Sequence, residues 1–312
     1  MSDFSITRMR YLFEAVRLRG IRAAADFLDV APSAVSRQIA LLEKTARTPL
    51  LETNRRGANP TEAGLILLAY YREHVSREEA LISQLDGIHG LQHGNVTVGA
   101  IQGFTEDLMN RALREFRQQH PNVTVTLRLG SVNDILAWLQ DDQVHLGLTH
   151  GPRLNLHAVR LKEAASSTQP VCAIVKTGHP LTQLPVVRAR DLFDHPFGLA
   201  SAAFGTRMIA DEVEALEKRH FKVALECDHL IGLMSFVRAG MGVTLLPAFF
   251  VHDDVQRGVV QALPIRHKLM ETAQAQLIVR RGRELPVSAL KLQRMLTANL
   301  LAFSAHAVAQ EI

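Results

Sequence analysis

The stretch AADFLDVAPSAVSRQIALLEK, Ala24 to Lys44, sets two short helical patterns on either side of a four-residue break. In the second, Val35, Ile39 and Leu42 recur at i, i+4 and i+7 as an apolar stripe, leaving Ser33, Ser36, Arg37, Ala40 and Lys44 on another side. Upstream, Ile21, Ala24, Ala25 and Leu28 form a second stripe, and Met9, Leu12, Phe13 and Val16 a third. The break, Asp29-Val30-Ala31-Pro32, holds a proline that suits the first position of a new helix and would disrupt the interior of one. Three short amphipathic helices are therefore expected before residue 45, with a tight turn between the second and third. That is the order in which a helix-turn-helix carries a recognition helix into the DNA major groove. Ser33 and Ser36 can bond phosphates or base edges, and Arg37 can grip a guanine by two hydrogen bonds. On pattern alone, a solvated helical face reads equally well.

Farther along, Thr53-Asn54-Arg55-Arg56-Gly57-Ala58-Asn59-Pro60 is a polar, turn-forming run with adjacent arginines, suited to a wing laid along phosphates or into a minor groove. The order AAADFLDVAPSAVSRQIALLEK and then PLLETNRRGANPTEAG resembles the N-terminal domain of LysR-type transcriptional regulators. The resemblance covers roughly residues 4–64, with a family-like layout continuing to the C-terminus. It implies a winged helix-turn-helix in which Pro32, Ser33, Ser36 and Arg37 read a double-stranded operator and Arg55 and Arg56 form the wing. It also implies a small-molecule effector and a homodimer or homotetramer, with no catalytic residue, metal or cofactor. The sequence departs from the family pattern at Arg19-Gly20 for the usual Gly-Ser, at Ala31 for a capping serine, and at Leu51-Glu52-Thr53 for Phe-Glu-Arg. His145 stands where an aspartate is common.

The composition fits a multidomain globule: 312 residues, 47% hydrophobic and 21% charged, can bury two or three cores and exclude a mostly disordered chain. The net charge is +4, and residues 1–64 hold ten Lys/Arg against seven Asp/Glu, a mildly basic +3 that permits DNA binding. MSDFSITRMR lacks the apolar core of a signal segment and no run is long enough to cross a bilayer, so a cytoplasmic protein without membrane contact is expected. Cys172 and Cys227 lie in the strand-like runs PVCAIV and KVALEC without basic neighbours, which favours buried free thiols over a redox switch.

Residues 60–86 read as one long helix, capped by Asn59 with Glu62 around Pro60 or by the rival Thr61. Leu68, Val75 and Ile82 repeat every seven residues beside Tyr71, Glu78 and Leu85, a short seam suited to dimerisation; packing on its own domain is the alternative. Gly87, Gly90 and Gly94 then suggest a hinge. Beyond it, NVTVGAI, VTVTLRL and VHLGLTH alternate with EDLMNRALREFRQQ and VNDILAWLQ, and a second series runs from PVCAIV through KVALEC to GVTLLP. Two α/β lobes with parallel sheets are expected. The expected division is residues 1–60 for DNA binding, 61–90 for the linker helix and hinge, and 91–312 for the effector domain. Its first lobe takes about 91–152 and 276–312 and its second about 153–275, with crossings near Gly147 to Pro152 and Ala262 to Arg281. Family resemblance likens this domain to periplasmic solute-binding proteins.

Open α/β sheets bind ligands beyond the carboxyl ends of their strands, where helix N-termini offer free N–H groups. Gln102, Gly103 and Phe104 occupy one such end, Ser131 another, Ser201 to Thr206 with Phe204 a third, and Asp228-His229 a fourth, with Thr149 and His150 at the crossing. Facing N-termini favour a small, carboxylated effector, with Gln102 and Phe104 as amide contact and wall; the bland alternative is that Thr105, Ser131 and Asp228 merely cap their own helices. Readings from other classes are weaker. A solute-binding receptor fits poorly with an arginine wing, and an architectural DNA protein would need no ligand. Ser288-Ala-Leu-Lys291, Lys176-Thr177-Gly178 and Ser131-Val-Asn133 resemble the serine β-lactamase set only in reversed order. His89 and His93 have metal-like spacing but glycines around them and no third ligand.

Overall fold

A computed structural model describes residues 4–52, 57–88, 93–202 and 204–304, so Arg55, Arg56 and His89 lie outside the described residues. The chain divides into two units, the first reaching Ile82 and including Gly282–Glu284, the second comprising Ser83–Arg281 and the segment from Leu285.

In the first unit, α1 (Ile6–Arg17), α2 (Ile21–Leu28) and α3 (Pro32–Ala46) precede the long α4 (Glu62–Ile88). The three predicted stripes converge: Met9, Leu12, Ala24, Ala25, Val35, Ile39 and Leu42 are buried together. Asp29 ends α2 in the left-handed conformation (φ 53°) and Pro32 opens α3, so the turn follows from backbone preference. Arg19 also sits at φ 53°, a conformation that costs little for the glycine usual there in the family. Neither Gly20 nor Ala31 supplies a side-chain cap to the helix it precedes. Leu51 and Pro60 form an antiparallel bridge that closes the base of the intervening loop. Thr61, one of the two expected caps, caps α4: its hydroxyl accepts from Gly64 N–H at 3.1 Å and donates to the Pro49 carbonyl at 2.7 Å. Gly64 is required, since a Cβ there would stand 2.2 Å from the Leu50 carbonyl oxygen.

The heptad row on α4 does not keep to one environment. Leu68 is 3% exposed and belongs to the core of this unit, whereas Val75 is 40% and Ile82 54% exposed. Tyr71 is likewise buried, its ring 5.3 Å from that of Phe13. A straight helix turns a seven-residue row by only about 20° per heptad, so the difference lies in what covers it: Leu68 and Tyr71 pack into the core that α1 shares, while Ile66, Tyr70, Leu81 and Leu85 remain exposed on another side.

The second unit contains β1 (Gly94–Ala100), β2 (Val123–Leu129), β3 (Leu146–Gly151), β4 (Leu161–Thr168), β5 (Val171–Lys176), β6 (Val187–Arg188), β7 (Pro196–Ala200), β8 (Lys222–Cys227), β9 (Val243–Pro247), β10 (Val260–Arg266) and β11 (Gln274–Arg280). They form a five-stranded sheet, β2-β1-β3-β11-β4, and a six-stranded one, β6-β10-β5-β9-β7-β8. The parallel sheets expected from alternation are mixed: β1–β3 and β7–β9 are parallel, while β11 runs antiparallel to β3 and β4, and β5 to β9 and β10. Because β4 belongs to the first sheet, the chain crosses at Gln169-Pro170, later than Gly147 to Pro152. It returns after β10, and the Gln169 N–H donates to the Ala273 carbonyl at 2.8 Å, tying the crossings together.

Five longer helices follow this frame. A helix, α5, runs through Thr105–Asp107, a π-helical stretch at Leu108–Leu113 and Arg114–Gln119. After it come α6 (Val132–Gln140), α7 (Gly205–Glu217), α8 (Leu230–Arg238) and α9 (Val287–Asn299). His145 acquires a physical role: its Nδ1 accepts the Thr97 N–H at 2.9 Å, doing at the edge between β1 and β3 what a carboxylate oxygen would do.

Candidate DNA-reading face and effector cleft

On α3, burial of Val35, Ile39 and Leu42 fixes the helix against its unit and leaves Pro32, Ser33, Ser36 and Arg37 exposed. The N-terminal turn of α3 therefore presents two hydroxyls and a guanidinium outward on a rigid element.

In the second unit, β1 lies between β2 and β3, and β7 between β8 and β9. Each arrangement reverses the strand order at its centre and opens a crevice beyond the carboxyl ends. Gln102 and His150 line a narrow cavity from the first sheet, and Phe204, Thr206, Leu233 and Phe250 line it from the second. Gln102 bridges the two: its Oε1 accepts the Leu230 N–H at 2.7 Å. The side chain thereby satisfies the exposed donor at the start of α8 that a ligand anion would otherwise take.

The expected site residues separate. Gln102, Gly103, Phe204, Thr206 and His229 line this cavity, with Asp228 beside them. Phe104 does not: it is fully buried, its ring 5.2 Å from Phe249 and 5.9 Å from Phe250, so it supports the wall instead of forming it. Gly103 is present for the same packing, since a Cβ there would stand 2.1 Å from the Phe250 ring. Ser131 takes the bland role, capping α6 by accepting Asp134 N–H at 3.2 Å while the Asp134 carboxylate accepts Ser131 N–H at 2.9 Å. Thr149 lines a smaller neighbouring cavity too narrow to admit a water molecule, and Ser201 lines neither. Cys172 is buried, its thiol pushed up to about 11 by burial; Cys227 is only half-buried and lines the larger cavity. Sequence reasoning missed Phe250, although its place just beyond the end of β9 satisfies the strand-end rule used for the other segments.

His150 lines both cavities. Its Nε2 lies 2.8 Å from the Gln169 carbonyl, a partner that only accepts, so Nε2 carries the proton and Nδ1 is an acceptor. Burial pushes its pKa down to about 4 from the ordinary 6.5. The folded state therefore binds fewer protons than the unfolded state between those values. The stability is fully present above pH 6.5 and is lost as pH falls toward 4, by up to about 3 kcal/mol. Urea unfolding between these limits should show this slope in the wild type and a flatter one in His150→Asn; equal slopes would exclude the assignment.

A helix-turn-helix with an exposed polar recognition face, followed in the chain by a two-sheet domain with a strand-end cleft, defines a ligand-responsive transcription regulator. The bacterial regulatory helix-turn-helix protein family of the lysR type matches residues 6–65, and the LysR substrate binding domain matches residues 89–301, more than half of the chain. The chain belongs to the LysR family of DNA-binding transcriptional regulators, which are not enzymes. It is 28% identical over 271 residues to a "Probable RuBisCO transcriptional regulator" of Nostoc sp., covering 85% of this chain and 80% of that one. A relative of the same description from Gracilaria tenuistipitata var. liui is 27% identical over 261 residues, covering 82% and 84%. The fold is similar to that of a full-length OxyR variant from Pseudomonas aeruginosa, with a TM-score of 0.69, 17% identity and 95% coverage of both chains. No helix among the described residues is long and apolar enough to cross a membrane.

Proposed function

We propose that this regulator reads a specific operator through Pro32, Ser33, Ser36 and Arg37, with Arg55 and Arg56 on the wing, and responds to a small effector held between the two sheets of its second unit. The observation that carries the effector reading is the Gln102–Leu230 bond, which joins the sheets at the wall of the larger cavity. A ligand there has different contacts when the sheets are closed and when they are apart, and that difference is what lets binding shift an equilibrium. The chain acts as a cytoplasmic homo-oligomer, supported by the exposed apolar residues of α4. Residues 1–60, 61–90 and 91–312 serve DNA contact, assembly and sensing respectively. The carboxylate expected from facing helix N-termini has weaker support. Gln102 engages α8, leaving α7, and neither lysine nor arginine lines the larger cavity.

Replacing Gln102 with alanine tests the reading. It unpairs the Leu230 N–H and should cost about 1 kcal/mol of stability in the second unit. A metabolite that stabilises the wild type in a thermal-shift screen and alters operator binding should do both less in Gln102→Ala. An effector acting equally on both proteins would remove the cleft from the response.

A further inference from the structure

Gln169, at the crossing between the two sheets, is buried and bonds in three directions. Its N–H donates to the Ala273 carbonyl of the returning crossing at 2.8 Å. Its carbonyl accepts the His150 Nε2 proton at 2.8 Å, and His150 lines the effector cleft. Its side-chain Nε2 donates to the Ala302 carbonyl at 2.9 Å, a partner that only accepts, so the orientation of the amide is fixed. The Ser167 hydroxyl, two residues earlier on β4, donates to the same carbonyl.

Ala302 lies in the short turn Leu301–Phe303 that follows α9. The Asp107 carboxylate of α5 holds the same turn, accepting the Leu301 N–H at 3.2 Å and the Ala302 N–H at 3.4 Å, with its side chain 1% exposed. From this turn α9 runs back as a rod of 13 residues, about 20 Å long. It is seated on the core of the second unit through Ala289, Leu292 and Leu296, all fully buried. At its other end the Val287 N–H, which no intrahelical carbonyl can take, donates to the Ser83 hydroxyl of α4 at 2.9 Å. An unbroken series of bonds and one packed helix therefore runs from His150 in the cleft to α4.

We propose that Gln169 is the positioning residue through which the cleft acts on α4; this rests on the effector reading given above. A change in the spacing of the sheets turns the crossing at Gln169, which moves Ala302 through the side-chain amide. The helix α9 carries that displacement along its length, because its buried face holds it as one body, and the Val287–Ser83 bond hands it to α4, which continues into the first unit. A series of contacts becomes a route only where its two ends are energetically coupled. A rival route exists: His150 and Phe104 both pack on Phe249 and Phe250, and Phe104 lies three residues before Asp107. That route does not pass through the Gln169 amide, so a change at this side chain separates the two.

The test needs no effector and uses the full-length protein at neutral pH. Asp107→Asn weakens the acceptor that holds the turn. It should move the His150 ring-nitrogen resonances in a 15N-histidine spectrum and speed exchange of the Val287 amide by about fivefold or more, while the Leu199 amide in β7 keeps its rate. Gln169→Leu keeps the carbonyl that holds His150 and removes the amide that holds Ala302; in that background Asp107→Asn should leave the His150 resonances where they are. Ser83→Ala enters from the other end and loses one hydroxyl, so the comparison stays readable if Asp107→Asn does not fold. Coupling is reciprocal, so Ser83→Ala should move the same resonances with glutamine at position 169 and not with leucine there. Resonances that stay in place in both single variants, or shift equally in the two backgrounds, overturn the relay through Gln169. Unchanged Val287 exchange in Asp107→Asn overturns its delivery by α9. Each of these failures leaves the inter-sheet effector site standing, since that reading is decided by the Gln102→Ala comparison.

Discussion

Gly205→Ala should destabilise the second unit by about 3 kcal/mol or more, although it adds one methyl group. An alanine Cβ at this position would stand 1.9 Å from the His150 carbonyl oxygen, 2.9 Å from its carbon and 3.0 Å from the Gly151 Cα. All three are backbone atoms, so no side chain can rotate away; β3 and the start of α7 must separate. Gly151 makes the reciprocal demand, since a Cβ there would lie 2.9 Å from the Gly205 Cα, and its own φ is +151°. The two glycines let a strand of the first sheet touch a helix of the second, beside His150 and the cleft. Gly99→Ala is the graded comparison, because its Cβ would meet only side chains, the Trp138 ring at 3.3 Å and the Val144 methyls beyond. Urea unfolding gives the magnitude, and amide hydrogen exchange in β3 and α7 gives the location. A Gly205→Ala protein as stable as Gly99→Ala, with unchanged exchange in those elements, would show that this approach does not hold the sheets together.

How much of this architecture was legible depended on how far apart in the chain its determinants lie. The three helices, and the elements Val123–Leu129, Val132–Gln140 and Lys222–Cys227, were readable from local periodicity and caps. The segment Leu161–Thr168 was not: LKEAASST is polar and small, and becomes a strand because β11, more than 100 residues later, pairs with it. The same distance explains the errors at the site. Gln102 was legible as a polar residue at a strand end, but its partner Leu230 is 128 residues away. Phe104 looked like a ligand wall because an aromatic beside a glycine at a strand end resembles one; only the placement of Phe249 and Phe250 shows it to be core. The seven-residue repeat places Leu68 on a dimer seam because a local pattern cannot register α1, whose residues share its core. Recognition of the family supplied the DNA-reading positions. Physical reading of the cleft then separated cap, core and lining residues, a distinction that types and spacing alone do not carry.

Arg37→Ala should abolish discrimination at one base pair while leaving the first unit folded. The side chain is exposed on α3, whereas its neighbours in the helical pattern, Val35 and Ile39, hold the helix to the core, so truncation removes a contact and no packing. Arginine presents two parallel N–H donors that match the N7 and O6 acceptors of guanine, and such a pair contributes about 1 to 3 kcal/mol of discrimination. Competition between the operator and single-base variants should therefore show a loss of preference of roughly five- to 150-fold at the position Arg37 reads, with other positions unchanged. Arg55 provides the contrast. As a wing residue it should contact phosphate, so Arg55→Ala should weaken operator and random DNA alike and lower the slope of log affinity against log salt by about one. The separation of the two effects matters more than either loss, because any lost cation weakens binding to a polyanion. Equal losses on operator and random DNA for Arg37→Ala, together with a reduced salt slope, would make Arg37 a phosphate contact and transfer sequence reading to Pro32, Ser33 and Ser36.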